Sequence, residues 1–241
     1  MSFSCRIRWL PLSSAPTISR KLAAELVGTF IFVLVGAGSA LGTASLVGSN
    51  PGASLLIAAL ANGLGLAMAV SATMGISGGV LNPAVTLGLL VGGKLPSREV
   101  VPYILAQFAG ATAAGLALVL SFPSSLGDPV RWGAPALSGL SIWQGVAVEA
   151  LLTFVLMTAV YGTAVDARAP HIGGLGIGIA VMADVLVAGN LTGAAMNPAR
   201  AIGPMVAGWY FPYYWYIYVA GPVIGAIAAG LVYRYLVETR Q

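Results

Sequence analysis

Apolar residues fall into six long blocks along this chain, at about 22–43, 53–74, 99–121, 142–164, 172–189 and 212–236. Each is near or above the ~20 residues that cross a hydrocarbon core of ~30 Å. Short polar or charged connections separate them. Two more apolar stretches, 83–92 and 198–207, are only ten residues long. At ~1.5 Å per residue such a helix covers half the core and cannot span it alone. The pattern predicts an all-α membrane protein with six transmembrane helices and two re-entrant half-helices. All blocks are rich in Gly and Ala, the residues that let membrane helices approach closely.

Composition strengthens this reading. The chain is 58% hydrophobic and 7% charged, against roughly 25% charged residues in a soluble domain. So few charges cannot cover the surface of a soluble globule of 241 residues. The lone Cys5 excludes an internal disulfide framework and a thiolate metal cluster. His171 stands in a short polar connection and reads as a solvated loop residue. There is no Gly-rich phosphate loop, Cys/His cluster or catalytic constellation, so no enzyme activity, cofactor, metal site or nucleic-acid partner is expected.

Loop charges give an orientation. Arg6, Arg8, Arg20 and Lys21 precede the first block, Lys94 and Arg98 lie in the 92–98 turn, Arg168 in the 165–171 turn, and Arg234 and Arg240 near the end. The other connections hold nothing basic in 44–52 and only Arg131, beside Asp128, in 122–141. Basic residues favour the cytoplasmic side, which places both termini inside a plasma or prokaryotic inner membrane. Residues 1–21 are also basic and acid-free, which fits a transit segment as well as a cytoplasmic tail.

The two halves repeat one plan. Glu25-x-x-x-Thr29-Phe30 returns as Glu149-x-x-x-Thr153-Phe154, and Asn82-Pro83-Ala84 returns as Asn197-Pro198-Ala199. Gln107-x-x-Gly110-Ala111 returns as Pro222-x-x-Gly225-Ala226, and the step from each Asn to that Gly is 28 residues. Three crossings per half invert the second relative to the first. The chain therefore divides into a tail at 1–21, a first repeat at 22–121 with its half-helix at 83–92, and an outer connection at 122–141. A second repeat follows at 142–237 with its half-helix at 198–207, then a tail at 238–241.

Irregular backbone at membrane depth is tolerated only where protein buries it or a wet cavity lies beside it. The runs Gly78-Gly79-Val80-Leu81 and Gly193-Ala194-Ala195-Met196 are such backbone. Each Asn is a strong N-cap type and each Pro suits the first helical position. Each triplet thus starts a half-helix at mid-membrane, and inversion brings the two N-termini together. The Asn side-chain oxygens cap the helices, leaving the NH2 groups of Asn82 and Asn197 to face the lumen as donors to a neutral molecule. Two positive dipole ends there repel cations and hydronium.

Paired triplets in an inverted repeat identify a resemblance to the aquaporin, or major intrinsic protein, family over about 20–238. Ala24-Glu25-Leu26-Val27-Gly28-Thr29-Phe30, Ile76–Thr86 and Met196-Asn197-Pro198-Ala199-Arg200 carry it. The resemblance implies a right-handed helical bundle assembled as a homotetramer with one pore per subunit, open to water and small neutral solutes. It implies that Glu25 and Glu149 support the re-entrant loops. It also implies an outer selectivity filter at Asn62, Val185, Ala194 and Arg200. A water-selective filter of the family has an aromatic residue at the first of these and His at the second. Val185 and Ala194 beside Arg200 resemble instead nodulin-like and broad-selectivity prokaryotic members, whose bulky first residue is replaced here by Asn62. Glycerol, urea or undissociated metalloid acids are then expected permeants. Ala201 stands where glycerol facilitators carry Asp, and Val80 stands where a His is common, which removes a route to cytoplasmic pH gating.

Two readings stay open beside this one. A water-selective channel is one, and a secondary transporter with broken helices and Glu25 and Glu149 as coupling groups is the other. Asp184, inside the fifth block next to Val185, either reaches toward Arg200 or the wet outer vestibule and softens the positive filter, or faces a subunit contact or a loop amide near the outer end of the span. The aromatic run from Trp209 to Tyr218 is expected to form an interfacial belt, and Met182 and Met196 to serve as packing or vestibule residues.

Overall fold

In the computed structural model, the described residues are 15–44, 50–168, 170 and 172–238. Cys5, Arg6, Arg8, His171 and Arg240 lie outside them. The described residues form helices without strands. These are α1 (Ile18–Ala44), α2 (Pro51–Ser77), α3 (Pro83–Val91), α4 (Ser97–Ser121) and the short α5 (Ser124–Gly127), then α6 (Ile142–Val160), α7 (Gly173–Ala188), α8 (Pro198–Ala207) and α9 (Ile217–Glu238). A tight helical segment, Asp128–Gly133, follows α5, and a π-helical turn, Tyr161–Val165, extends α6.

Among the described residues, five helices are long and apolar enough to cross a membrane: α1, α2, α4, α6 with its π turn, and α9. The sixth expected crossing is α7, only 16 residues long, or about 24 Å. Its hydrogen bonding continues past Ala188, because Thr192 N donates to Ala188 O and Gly193 N to Gly189 O. The last crossing starts at Ile217 rather than 212. Residues 213–216 form turns instead, with Trp215 N donating to Pro212 O, so the aromatic run stays outside the helix until Tyr218.

Local capping explains several ends. Asn50 Oδ1 accepts from Ala53 N at 3.0 Å with Pro51 behind it. Gly78, at φ 93°, closes α2 by donating its N–H to Met74 O. Ser141 and Gln144 form a reciprocal capping box on α6.

The short helices α3 and α8, 9 and 10 residues long, together cover about 28 Å. They meet at their N-termini and so complete a seventh crossing from two halves. Close approach depends on glycine. A Cβ on Gly110 of α4 lies 2.2 Å from Leu26 O of α1, and one on Gly225 of α9 lies 2.0 Å from Ala150 O of α6. These are the same positions of the two repeats. Gly63 and Gly178 likewise press α2 against α7, each sitting 2.4–2.5 Å from the other's carbonyl once a Cβ is added.

Gly110→Ala and Gly225→Ala each force the helix pair apart, at about 1–3 kcal/mol for overpacking. Both are expected to lower the thermal unfolding midpoint in detergent by several degrees. Gly42→Ala, where a Cβ meets nothing within 4 Å, is expected to leave it unchanged. Equal midpoints for all three variants exclude this packing account.

Candidate functional site

The two re-entrant segments have matching backbones. Gly78 and Gly193 (φ 93° and 84°), Gly79 and Ala194 (59° and 43°), and Leu81 and Met196 (51° each) occupy the left-handed region. The members of each pair stand 115 positions apart. Left-handed backbone at a non-glycine residue costs roughly 1–2 kcal/mol, so Leu81, Ala194 and Met196 are held there by their surroundings.

The glutamates do much of the holding. Glu25 is fully buried; its Oε1 accepts from Val80 N at 3.0 Å and its Oε2 from Leu81 N at 2.8 Å. Glu149, equally buried, accepts from Ala195 N at 3.0 Å and Met196 N at 2.7 Å. A carboxylate with two oxygens is the side chain suited to receive two adjacent amides.

Sequence reasoning missed the rest of this scaffold. Ser77 Oγ accepts from Gly79 N, and Thr192 Oγ1 from Ala194 N, both at 3.1 Å. Tyr103 donates its hydroxyl to Ser77 O and Tyr218 to Thr192 O, both at 2.8 Å. These partners also lie 115 positions apart, a signal that extending the repeat alignment would have exposed. Tyr218 and Tyr214 are buried, which corrects the belt reading for those two. Trp209, Phe211, Tyr213, Trp215 and Tyr216 remain exposed. In the first repeat alone, Gln107 Nε2 donates to Glu25 Oε2 at 2.7 Å and to Thr86 Oγ1 at 3.1 Å. Pro222 and Ala201 occupy the equivalent positions and offer no such bonds.

Asn82 Oδ1 accepts from Ala84 N at 2.9 Å and Val85 N at 3.4 Å. Asn197 Oδ1 accepts from Ala199 N at 2.9 Å and Arg200 N at 3.2 Å. Pro83 and Pro198 take the first helical position. The amide nitrogens depart from the expectation of free lumen donors. Asn82 Nδ2 donates to Met196 O at 2.9 Å, and Asn197 Nδ2 donates to Leu81 O at 2.8 Å. Each NH2 has two hydrogens, so one ties the halves together and the other remains. The crossed bonds satisfy carbonyls that left-handed backbone turns away from any helix.

A cavity of about 370 Å³ runs beside this junction. Asn82, Asn197, Asn62 and Ala194 line it, with Lys94 and Leu95 also in its wall. Gly78, Gly79, Val80, Ala195 and Met196 contribute to its surface as well. Of the candidate filter residues, Asn62 and Ala194 border this cavity, while Val185 and Arg200 are buried outside its lining. Asn62 is turned back on its own helix, donating Nδ2 to Ala58 O at 2.9 Å. Its carboxamide lies against Gly36 of α1, where a Cβ would come within 2.4 Å of Oδ1. Arg200 Nη1 donates to Gly133 O at 3.0 Å.

Asp184 is buried in α7, and its Oδ2 has no hydrogen-bond partner. Ion pairs among the described residues include Lys21–Glu99 at 2.8 Å and Arg168–Asp166 at 2.6 Å. Of the placements open to Asp184, a pair with Arg200 is not formed: the guanidinium donates to the Gly133 carbonyl instead. In the turn after α6, the Arg168 guanidinium holds the Asp166 carboxyl well below the usual carboxylate range. Met182 packs against Gly63, as a packing residue should. Among the described residues no group of His, Cys, Asp and Glu is placed to hold a metal.

Known proteins match this arrangement. The probable aquaporin TIP3-2 of Arabidopsis thaliana is 41% identical over 92% of this chain and 85% of its own length. Aquaporin AqpM of Methanothermobacter marburgensis is 39% identical over 91% of this chain and 98% of its own. The X-ray structure of the aquaglyceroporin from Plasmodium falciparum superposes with a TM-score of 0.78 at 21% identity, covering 92% of this chain and 97% of that one. At that identity the superposition shows the fold alone. Residues 12–233 match the major intrinsic protein family, and with relatives of this identity and coverage the chain belongs to that family: it is an integral membrane protein of the aquaporin channel class and not an enzyme.

Proposed function

We propose that the protein is a passive pore for water and small uncharged solutes such as glycerol, urea or undissociated metalloid acids. The observation that carries the reading is the junction of α3 and α8. Two helix N-termini meet there beside the cavity, capped and cross-tied by Asn82 and Asn197. Two positive dipole ends raise the energy of a cation at that point, while the remaining amide hydrogens serve the oxygen of a neutral permeant. Pro83, Ala84, Pro198 and Ala199 hold the helix starts.

Selectivity is assigned to Asn62, Val185, Ala194 and Arg200. Asn62 folded against Gly36 projects little bulk across the route, which favours a filter wider than a water-only one. The printed names of the TIP3-2 and AqpM relatives, both aquaporins, keep a water-selective pore as the second reading. The transporter reading loses its coupling groups, since Glu25 and Glu149 each accept two loop amides. The assembly is assigned as a homotetramer, in a plasma or prokaryotic inner membrane with both termini cytoplasmic. Lys21 at the start of α1 pairs with Glu99 at the start of α4. That pair brings the starts of α1 and α4 together, so Arg20, Lys21 and Arg98 share one end of the bundle, which supports a cytoplasmic placement of that end.

Stopped-flow light scattering on proteoliposomes tests the pore. Shrinkage in an impermeant gradient is expected to be fast, followed by re-swelling when glycerol or urea is the osmolyte. Fast water flux with no glycerol, urea or other small-solute entry selects the water-only filter.

A second expectation concerns loop support. Glu149→Ala strands the N–H groups of Ala195 and Met196 in a buried place, at about 1–3 kcal/mol for each. It is expected to yield little folded protein. Glu149→Gln retains one acceptor oxygen and is expected to fold with reduced thermal stability. Normal yield and unfolding midpoint for Glu149→Ala, measured by fluorescence-detected size exclusion, contradict the assigned role.

A further inference from the structure

The outer connection between the repeats has a built shape that the pore reading does not use. After α5 the chain turns inward through three consecutive left-handed residues, Arg131 (φ 53°), Trp132 (φ 53°) and Gly133 (φ 77°). Two of the three are non-glycine, so the packing of the segment must hold them. Trp132 is 6% exposed. Its indole covers Gly127 of α5 and Gly208 at the C-terminal end of α8, where a Cβ would come within 2.4 and 2.7 Å of ring atoms. Trp132 Nε1 donates to Asp128 Oδ1 at 2.9 Å. The Arg131 guanidinium lies over the Tyr210 ring, 4.8 Å from its centroid.

The next residue touches the candidate filter. Gly133 is pressed against α1 so closely that a Cβ would stand 2.5 Å from Ala37 O. Its carbonyl accepts from Arg200 Nη1 at 3.0 Å. Farther along, a Cβ on Gly193 would stand 2.5 Å from Pro135 Cβ, and Ser138 N donates to Leu191 O at 2.8 Å. The connection therefore lies along the second re-entrant segment from Leu191 to Arg200. A guanidinium on a long side chain has many rotamers, and only a fixed acceptor keeps it in one place. The acceptor here is a backbone carbonyl, so its position depends on what anchors the backbone.

We propose that Trp132 is a positioning residue for solute selection. Its indole, wedged between α5 and the end of α8, seats the Gly133 carbonyl that holds Arg200, and thereby sets the solute cut-off. The proposal rests on Arg200 being a filter residue. A smaller side chain at 132 releases the carbonyl, lets the guanidinium swing and widens the opening.

The test compares wild type, Trp132→Ala, Trp132→Phe, Arg200→Ala and the Trp132→Ala/Arg200→Ala double variant in proteoliposomes. Glycerol and water permeabilities are measured on each preparation and expressed as a ratio, which cancels differences in the amount of folded channel. Trp132→Ala is expected to raise the glycerol-to-water ratio by roughly threefold or more. Trp132→Phe, which keeps an aromatic wedge, is expected to stay near wild type. The double variant should match Arg200→Ala, because a positioning residue has no effect once the group it positions is gone. Should Trp132→Ala not assemble, Trp132→Leu carries the same expectation. An unchanged ratio in the assembled Trp132 variant, with Arg200→Ala altered, overturns the positioning role while leaving the filter standing. So does a double variant showing the product of the two single effects. An unchanged ratio in Arg200→Ala overturns the filter assignment itself.

Discussion

Buried backbone needs hydrogen-bond partners, and at membrane depth water cannot supply them. Both re-entrant segments leave helix geometry in the middle of the bundle, where an unpaired amide costs several kcal/mol. The architecture beside the cavity answers that demand. Glu25 and Glu149 receive two amides each, Ser77 and Thr192 receive a third, and Tyr103 and Tyr218 serve the carbonyls that remain. Even the Asn amides are drawn in, since each spends one hydrogen on a carbonyl of the opposite segment. A group that faces a permeant is thus first a group that closes the backbone account of the fold.

This double duty explains which features were legible in the sequence. Asn-Pro-Ala is readable because capping and prolyl geometry confine each triplet to a helix start. The glutamates are readable because a carboxylate inside an apolar block demands a reason. Tyr103 and Tyr218 were not, because a tyrosine in a membrane helix is ordinary and its hydroxyl partner lies 26 residues away. The six crossings followed from block length, but the start of α9 did not: Pro212 to Tyr216 are apolar or aromatic enough to pass for helix, and turn bonds won locally. The shortness of α7 is similarly hidden, because residues 189–193 carry its hydrogen bonding onward without being part of the helix.

The candidate filter divides in the same way. Val185, Ala194 and Arg200 could be numbered from the anchor at Asn197, but their surroundings could not. That Asn62 turns back onto Ala58 is a rotamer outcome set by Gly36, a residue in another helix. That Arg200 meets Gly133 depends on a connection whose sequence, with three prolines, an Asp and an Arg, reads only as an outer loop. Asp184 remains a buried carboxylate with one unpartnered oxygen.

An inverted repeat by itself makes two equal half-channels, yet selection needs one end to differ from the other. The difference here enters in two places. At the third residue after each Asn, the first half has Val85 and the second Arg200, each with its N–H on the same capping oxygen. The backbone is therefore common and only the side chain changes, from an apolar stub to a long cation. Such a cation needs an acceptor that the repeat does not contain. The acceptor comes from the connection between the halves, the part of the chain free of the two-fold constraint. Gly133 can approach α1 because it lacks a Cβ, and the buried Trp132 beside it is the wedge proposed to seat it. Symmetry supplies the paired half-helices, and the unrepeated segment supplies the acceptor that holds Arg200.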